Sequence, residues 1–318
     1  MLRIEKLSDG LSLFKALGSD VRLEIVRLLI KQPMNMNELA GKLHITNGAL
    51  TTHIKKLEEC GVVAISNDSA GHGNQKICHV VADRILIDIK DPHLPTENTC
   101  SVDLKVGRYS KCQVYPTCGL STAEQIIGVV DDYRYFSHPD HFDADILWFT
   151  QGYVEYQVPS FAPMYSHITQ ITVSAELSSE APGVNNQWPS DISFFINDVF
   201  VGTWTSPGDF GDVRGIFTPD WWFPNWNQYG LLKMLTVNDR GSFIDGLKIS
   251  DVSIRELDLD QKPLFNLRFS VDYKAAHVGG LTIFGKTFGN HAQDIQVTLG
   301  YVAGDADDLD NALPASST

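Results

Sequence analysis

At 318 residues the chain is too long for one typical domain and comfortable for two, each large enough to bury a core without covalent help. Its 43% hydrophobic and 20% charged residues are ordinary for a globular protein. No apolar run is long enough to span a bilayer, and Met1 to Gly10 lacks the core of a secretion signal, so a cytoplasmic protein is expected. The net charge of −14 opposes nucleic-acid binding only if the chain is counted whole. Residues 1–90 hold 12 basic and 10 acidic side chains and the remainder 13 and 29, a split of +2 and −16.

Leu7, Leu11, Phe14 and Leu17 recur at helical spacing before Gly18, which predicts a first helix. A second, capped by Asp20, carries Val21, Ile25, Leu28 and Leu29 inward and ends at Gln32-Pro33. Asn35 or Asn37 can cap a short third helix with Leu39, Ala40 and Leu43 inside. The fourth starts at the cap Thr46 and runs to Cys60, with Gly61 at its left-handed stop. At ~100° per residue, Leu50, Ile54 and Leu57 share one inward arc. The opposite face is small or polar: Gly48, Ala49, Thr51, Thr52, Lys55 and Lys56, flanked by Asn47 and His53. Small and hydroxyl side chains permit close approach to base edges, and lysines a turn later suit phosphates. Val62–Ser66 and Gln75–Val81, joined by a polar glycine-containing loop, predict a hairpin whose wing would present His72, Asn74 and Lys76 to DNA.

The phrases FKALGSDVRLEIVRLL, MNELAGKLHIT and NGALTTHIKKLEECGVV, in this order before a hairpin, resemble the ArsR family of winged helix-turn-helix repressors over roughly residues 8–82. The resemblance implies a homodimer reading a palindromic operator in double-stranded DNA through Thr46 to Lys56. Many family members sense metals through a cysteine pair at the start of the third helix, but Asn37 to Lys42 contains no cysteine, so no metal site of that kind and no cofactor is expected. Cys60 and Cys78 read as small buried hydrophobes.

Two prolines, Pro92 and Pro95, mark a linker or edge strand at 91–100 between a domain at 1–90 and one at 101–302; the acidic, polar residues 303–318 read as a disordered tail. About a dozen short β-rich runs separated by turn residues, from Ser101–Val106 through Ile146–Phe149, Tyr153–Gln157 and Gly246–Ile254 to Asp294–Tyr301, predict a β-sandwich or jelly roll. The expected fold class is therefore α+β in two domains. The second resembles a β-sandwich found fused to ArsR-like domains in bacterial regulators.

Five of the six tryptophans fall between Trp188 and Tyr229, beside Asp, Asn, Gln and Arg. A sugar's C–H face stacks on aromatic rings while its hydroxyls need fixed polar partners, so Trp188, Trp204, Asp209, Asp212, Arg214, Trp221, Trp222, Trp226, Asn227 and Gln228 form a candidate carbohydrate site. The same tryptophans could instead pack a core or a dimer interface. Further alternatives are a carbohydrate-active enzyme using carboxylates among Glu155, Glu180, Asp209 and Asp212, a metal site at Cys100, Cys112 and Cys118, and a cluster at His138, Asp140, His141, Asp143 and Asp145 that reads equally well as a polar turn. The favoured reading is a ligand-responsive, non-enzymatic repressor.

Overall fold

The computed structural model describes residues 2–4, 7–68, 75–87 and 98–302. They fall into two compact units, Met1–Pro95 and Thr96–Thr318. The predicted wing contacts His72 and Asn74, most of the linker, and the tail 303–318 lie outside the described residues.

The first unit holds helices α1 (Leu11–Leu17), α2 (Asp20–Lys31), α3 (Met36–Leu43) and α4 (Asn47–Glu59). Its strands are β1 (Leu2–Ile4), β2 (Met34–Asn35), β3 (Val63–Asp68), β4 (Gln75–Val80) and β5 (Ile85–Ile87). The first helix is shorter than its spacing predicts, because Leu7–Gly10 winds as a 3-10 turn. That turn holds three residues rather than ~3.6 and shifts the helix phase. Leu13 and Ala16 therefore go inward, leaving Leu11 and Phe14 55% and 39% exposed. Ser19, extended, precedes α2 where Asp20 was the expected cap. Asn35 and Glu38 make a reciprocal capping box at α3. Thr46 caps α4 by accepting from the Ala49 amide at 3.3 Å, and Gly61, with φ of +73°, releases the chain from it. Leu50, Ile54 and Leu57 are buried as predicted, against Leu13, Ile25, Leu29, Leu39 and Cys78. The wing pairs β3 with β4, and β4 also takes β2. Strands β1 and β5, three residues each, pair in parallel.

The second unit is all β. Its strands are β6 (Asn98–Leu104), β7 (Lys111–Ser121), β8 (Ile146–Pro159), β9 (His167–Ser178), β10 (Ser190–Ile196), β11 (Val199–Ser206), β12 (Leu231–Asn238), β13 (Gly241–Ile244), β14 (Leu247–Ser250), β15 (Leu264–Val271), β16 (Leu281–Phe284) and β17 (Ile295–Val302). Two predicted strands, Ile146–Phe149 and Tyr153–Gln157, are one β8. It is continuous through Gly152, whose φ of +112° and whose approach to the Gln113 carbonyl exclude a side chain. The predicted Gly246–Ile254 strand is β14 alone, since Gly246 turns the chain from β13 and Ile254 begins a 3-10 helix.

Strand β8 makes the sandwich. Its first residues pair with β16 and its last with β15, while β7 runs along its other edge. One layer is then β11, β10, β15 and the end of β8; the other runs from the start of β8 through β16, β9, β12, β13 and β14, with β17 and β6 beside β9. The layers enclose one core containing Val154, Phe194 and Phe269 from the first and Ile171, Val173, Leu235 and Val297 from the second. A separate aromatic cluster of Ile146, Trp148, Trp222, Phe284 and Phe288 lies at one end of β8.

Candidate functional sites

On α4, burying Leu50, Ile54 and Leu57 fixes what the opposite face presents. Thr46, Asn47, Gly48, Ala49, Thr51, Thr52, Lys55 and Lys56 are exposed, and so is Lys76 on β4. A Cβ added at Gly48 would meet nothing within 4 Å, so this end of the helix is open. The hydroxyls of Thr51 and Thr52 donate to the carbonyls of Asn47 (2.8 Å) and Gly48 (3.3 Å), which leaves their lone pairs facing outward as acceptors. Asn47 donates through Nδ2 to Asn37 Oδ1 at 2.9 Å, tying the start of α4 to the first turn of α3. A groove of about 430 Å³ between α4 and the wing strands is lined by Asn47, Thr51, Lys55, Glu58, Ile65 and Lys76, placing two lysines on its walls. His53 is half-buried against Arg22, and desolvation followed by that positive charge lowers its pKa, so near neutrality the ring is a neutral flank.

In the β unit the ten predicted ligand residues separate. Trp222 is 1% exposed and packs edge-on to Trp148, Trp226 and Phe288. Gln228 is buried and holds its own loop by donating to the carbonyls of Phe223 and Trp226. Arg214 donates to the carbonyls of Pro219 and Asp220, Asp212 accepts from the Tyr229 hydroxyl, and Trp221 donates to the Ala123 carbonyl. Trp204, on β11, lies under the Lys233 ammonium at 4.9 Å, and Trp188 is half-buried. These contacts hold loops in place.

Asp209, Trp226 and Asn227 instead meet in one pocket of about 140 Å³ with Thr117, Asp131, Trp148 and Glu180. Glu180 follows β9 and is approached so closely by Gly280 (φ +74°) that a Cβ there would sit 2.6 Å from the Glu180 Cβ. Asn227 Nδ2 donates to Glu180 Oε2 at 3.1 Å and to Thr282 Oγ1 at 2.8 Å. Asp209 bridges to Asn185 through its backbone, and its Oδ2 accepts from the Ala181 amide at 3.1 Å. Its Oδ1 is buried without a hydrogen-bond partner. Burial pushes Asp209 up to about 7 and raises Glu180 as well, with Asp209's charge adding to the latter. Thr117, Asp131 and Trp148 carry no local signal in the sequence. Thr117 sits at the β7 irregularity between Tyr115 and Cys118, and only strand pairing brings it beside the Glu180 turn.

The remaining candidates have other tasks. Glu155 is buried and paired with Lys111 at 2.9 Å and with Arg268. His138 caps a 3-10 turn, while His141 bonds the Gly107 carbonyl and stacks on Tyr109 and Phe142. All five cysteines are free thiols; burial pushes Cys78 up to about 11 and Cys118 to about 12. Among the described residues no three of His, Cys, Asp and Glu are grouped to hold a metal ion, and no helix is long and apolar enough to cross a membrane.

Four helices with a polar, outward-facing fourth and a two-stranded wing define a winged helix-turn-helix domain. Residues 19–64 match the family described as bacterial regulatory protein, arsR family, and this domain is an ArsR-family helix-turn-helix. The chain is 36% identical over 58 residues to an uncharacterized HTH-type transcriptional regulator of Methanocaldococcus jannaschii, covering 18% of this chain and 61% of that protein. It thus spans about three fifths of the curated relative's length. Similar solved structures include the transcriptional regulator HlyU from Vibrio vulnificus, at 24% identity over 24% of this chain and 75% of that one, with a TM-score of 0.21. A carbohydrate-binding module, CBM36, in complex with calcium and xylotriose matches at 10% identity over 63% of this chain and 98% of its own, with a TM-score of 0.27.

Proposed function

We propose that this protein is a DNA-binding transcriptional regulator, a repressor that reads a palindromic operator as a homodimer and responds to a small ligand, a carbohydrate, held by its β-sandwich. The observation that carries the reading is the exposed face from Thr46 to Lys56 on a helix whose other face is locked into the core. A helix so held can enter the major groove as a rigid reader, with Lys55 and Lys76 beside it for phosphates. A domain excess of only +2 supplies few phosphate contacts, which favours two copies per site. Leu11 and Phe14, exposed on α1, offer an apolar patch for the second copy. Gel-shift titration of the protein against fragments of its own upstream region tests the reading. Sequence-specific binding is expected, and binding no tighter than to random duplex would overturn it.

The aromatic and carboxyl character of the β pocket supports a sensor for one sugar ring. An enzymatic reading with Glu180 and Asp209 as acid and base is less well supported. About 140 Å³ is small beside the ~300–1,000 Å³ of sites that engulf larger ligands, and a glycosidase must hold rings on both sides of the scissile bond.

A further inference from the structure

We infer that the pocket bounded by Thr117, Asp131, Trp148, Glu180, Asp209 and Trp226 is the effector site of the β-sandwich and that it takes a protonated amino sugar, a single saccharide ring bearing an ammonium group. The inference rests on the proposal that this domain senses a small ligand, and it specifies both the site and the ligand class.

Other carboxylates of this domain find their partners within the chain. Glu155 is neutralised by Lys111 and Arg268, Asp245 by Lys233 at 2.9 Å, and Asp145 by Lys105 at 3.2 Å. Glu176 is held by the backbone amides of Gly230, Asn290 and His291, each at 2.8 Å. The pocket brings together Asp131, Glu180 and Asp209, and its lining contains no Lys, Arg or His. Unlike Glu155, Asp245 and Asp145, these three carboxylates have no basic side chain beside them in the lining, and a cationic ligand would take that place.

Asp209 is 1% exposed, and its Oδ1 is closed off from solvent with no hydrogen-bond donor. Leaving a buried acceptor unsatisfied is unfavourable, and a small turn of this carboxylate into the pocket it lines would let a ligand N–H or O–H remove that penalty. Burial also raises Asp209 and Glu180, and a bound ammonium ion draws both back toward the charged form.

Trp148 and Trp226 meet at 5.7 Å with their planes 64° apart, making an aromatic corner. Such a corner accepts the C–H face of a ring and also attracts a cation. A bare metal ion has no use for it, and no three-residue metal grouping exists among the described residues. The volume of about 140 Å³ suits one ring.

The test is isothermal titration of the full-length protein with glucosamine, galactosamine and mannosamine, each against its neutral parent sugar and its N-acetyl form. At least one amino sugar is expected to bind tenfold or more tightly than both neutral counterparts. Asp209→Asn and Glu180→Gln should each erase that preference, while far-UV circular dichroism and operator binding confirm that the variants are folded. Equal affinity for an amino sugar and its parent would overturn the inference in favour of a neutral-sugar site, and absence of binding by all three would overturn the site. Amino-sugar binding that leaves operator affinity unchanged would uphold the site and overturn the ligand-responsive reading of the regulator. Operator binding without amino-sugar binding would overturn the site and uphold the DNA-binding reading of the first domain.

Discussion

The Arg22 guanidinium lies 3.5 Å from the Nδ1 of His53, joining α2 to the flank of α4. Arg22 is 8% exposed, and its other nitrogens donate to the carbonyls of Lys15 and Ala16, closing the C-terminal end of α1. Because desolvation and this positive charge lower the His53 pKa, a His53 step in operator affinity should come at a lower pH than that of an ordinary histidine. Arg22→Met removes the repelling charge and should move the His53 titration upward, adding affinity as the pH falls through the new value. Histidine chemical shifts followed through a pH titration report the change directly; an unmoved His53 would show that Arg22 does not control it.

The two halves of the α4 face should fail differently. Thr51→Ala or Thr52→Ala removes an outward-facing hydroxyl acceptor and, on the proposed reading, should cost about 1–3 kcal/mol for the operator with little effect on random DNA. Lys55→Ala, Lys56→Ala or Lys76→Ala should weaken both and lower the slope of log K against log salt by about 0.9 for each phosphate that is no longer neutralised. Fluorescence anisotropy across a salt series separates the two classes. A Thr51 variant that loses random and specific binding equally would place that side chain on the backbone.

If the patch on α1 seats the second copy, Leu11→Glu with Phe14→Glu should yield a monomer without unfolding, since these side chains are 55% and 39% exposed. Analytical ultracentrifugation should report the monomer mass, and operator affinity should fall by the contribution of one half-site. A variant still dimeric would move the interface elsewhere.

Asp209 gives the β-sandwich a defined pH dependence. Its folded value of about 7 lies above the usual carboxyl range, so the protonated form is favoured by folding. Its contribution to stability is complete at acid pH and is lost as the pH rises through about 7. Between pH 6 and 8 the loss amounts to about 1 kcal/mol, and Asp209→Asn should flatten that part of the profile. Urea melts of the full chain at both pH values measure it; an Asp209→Asn profile parallel to the parent's would exclude Asp209 as the source.

Lys233 and Asp245 form a buried pair at 2.9 Å, 5% and 1% exposed, with Asp245 Oδ1 also accepting from the Met234 amide at 3.0 Å. Asp245→Ala removes the carboxylate paired with the Lys233 ammonium above Trp204 and should destabilise the sandwich by about 3–5 kcal/mol. A thermal melt within one degree of the parent's would show that Lys233 finds another partner.

What the sequence determined by itself is α4 of the first domain and its exposed polar face. Leu50, Ile54 and Leu57 repeat at the helical period, Thr46 caps and Gly61 stops, so the polar face from Asn47 to Lys56 follows from local geometry alone. The sandwich was legible only as a class, from short alternating runs and turn residues. Its site was not, because a strand pattern says which face is buried but not which strand lies beside which. Trp222 reads like Trp226 along the chain, yet one fills the core and the other borders the pocket. Glu180 and Asp209 lie in separate loops, and they meet only because β9 and β11 end at the same place in the fold. Local spacing decided the helix, and long-range strand pairing decided the pocket.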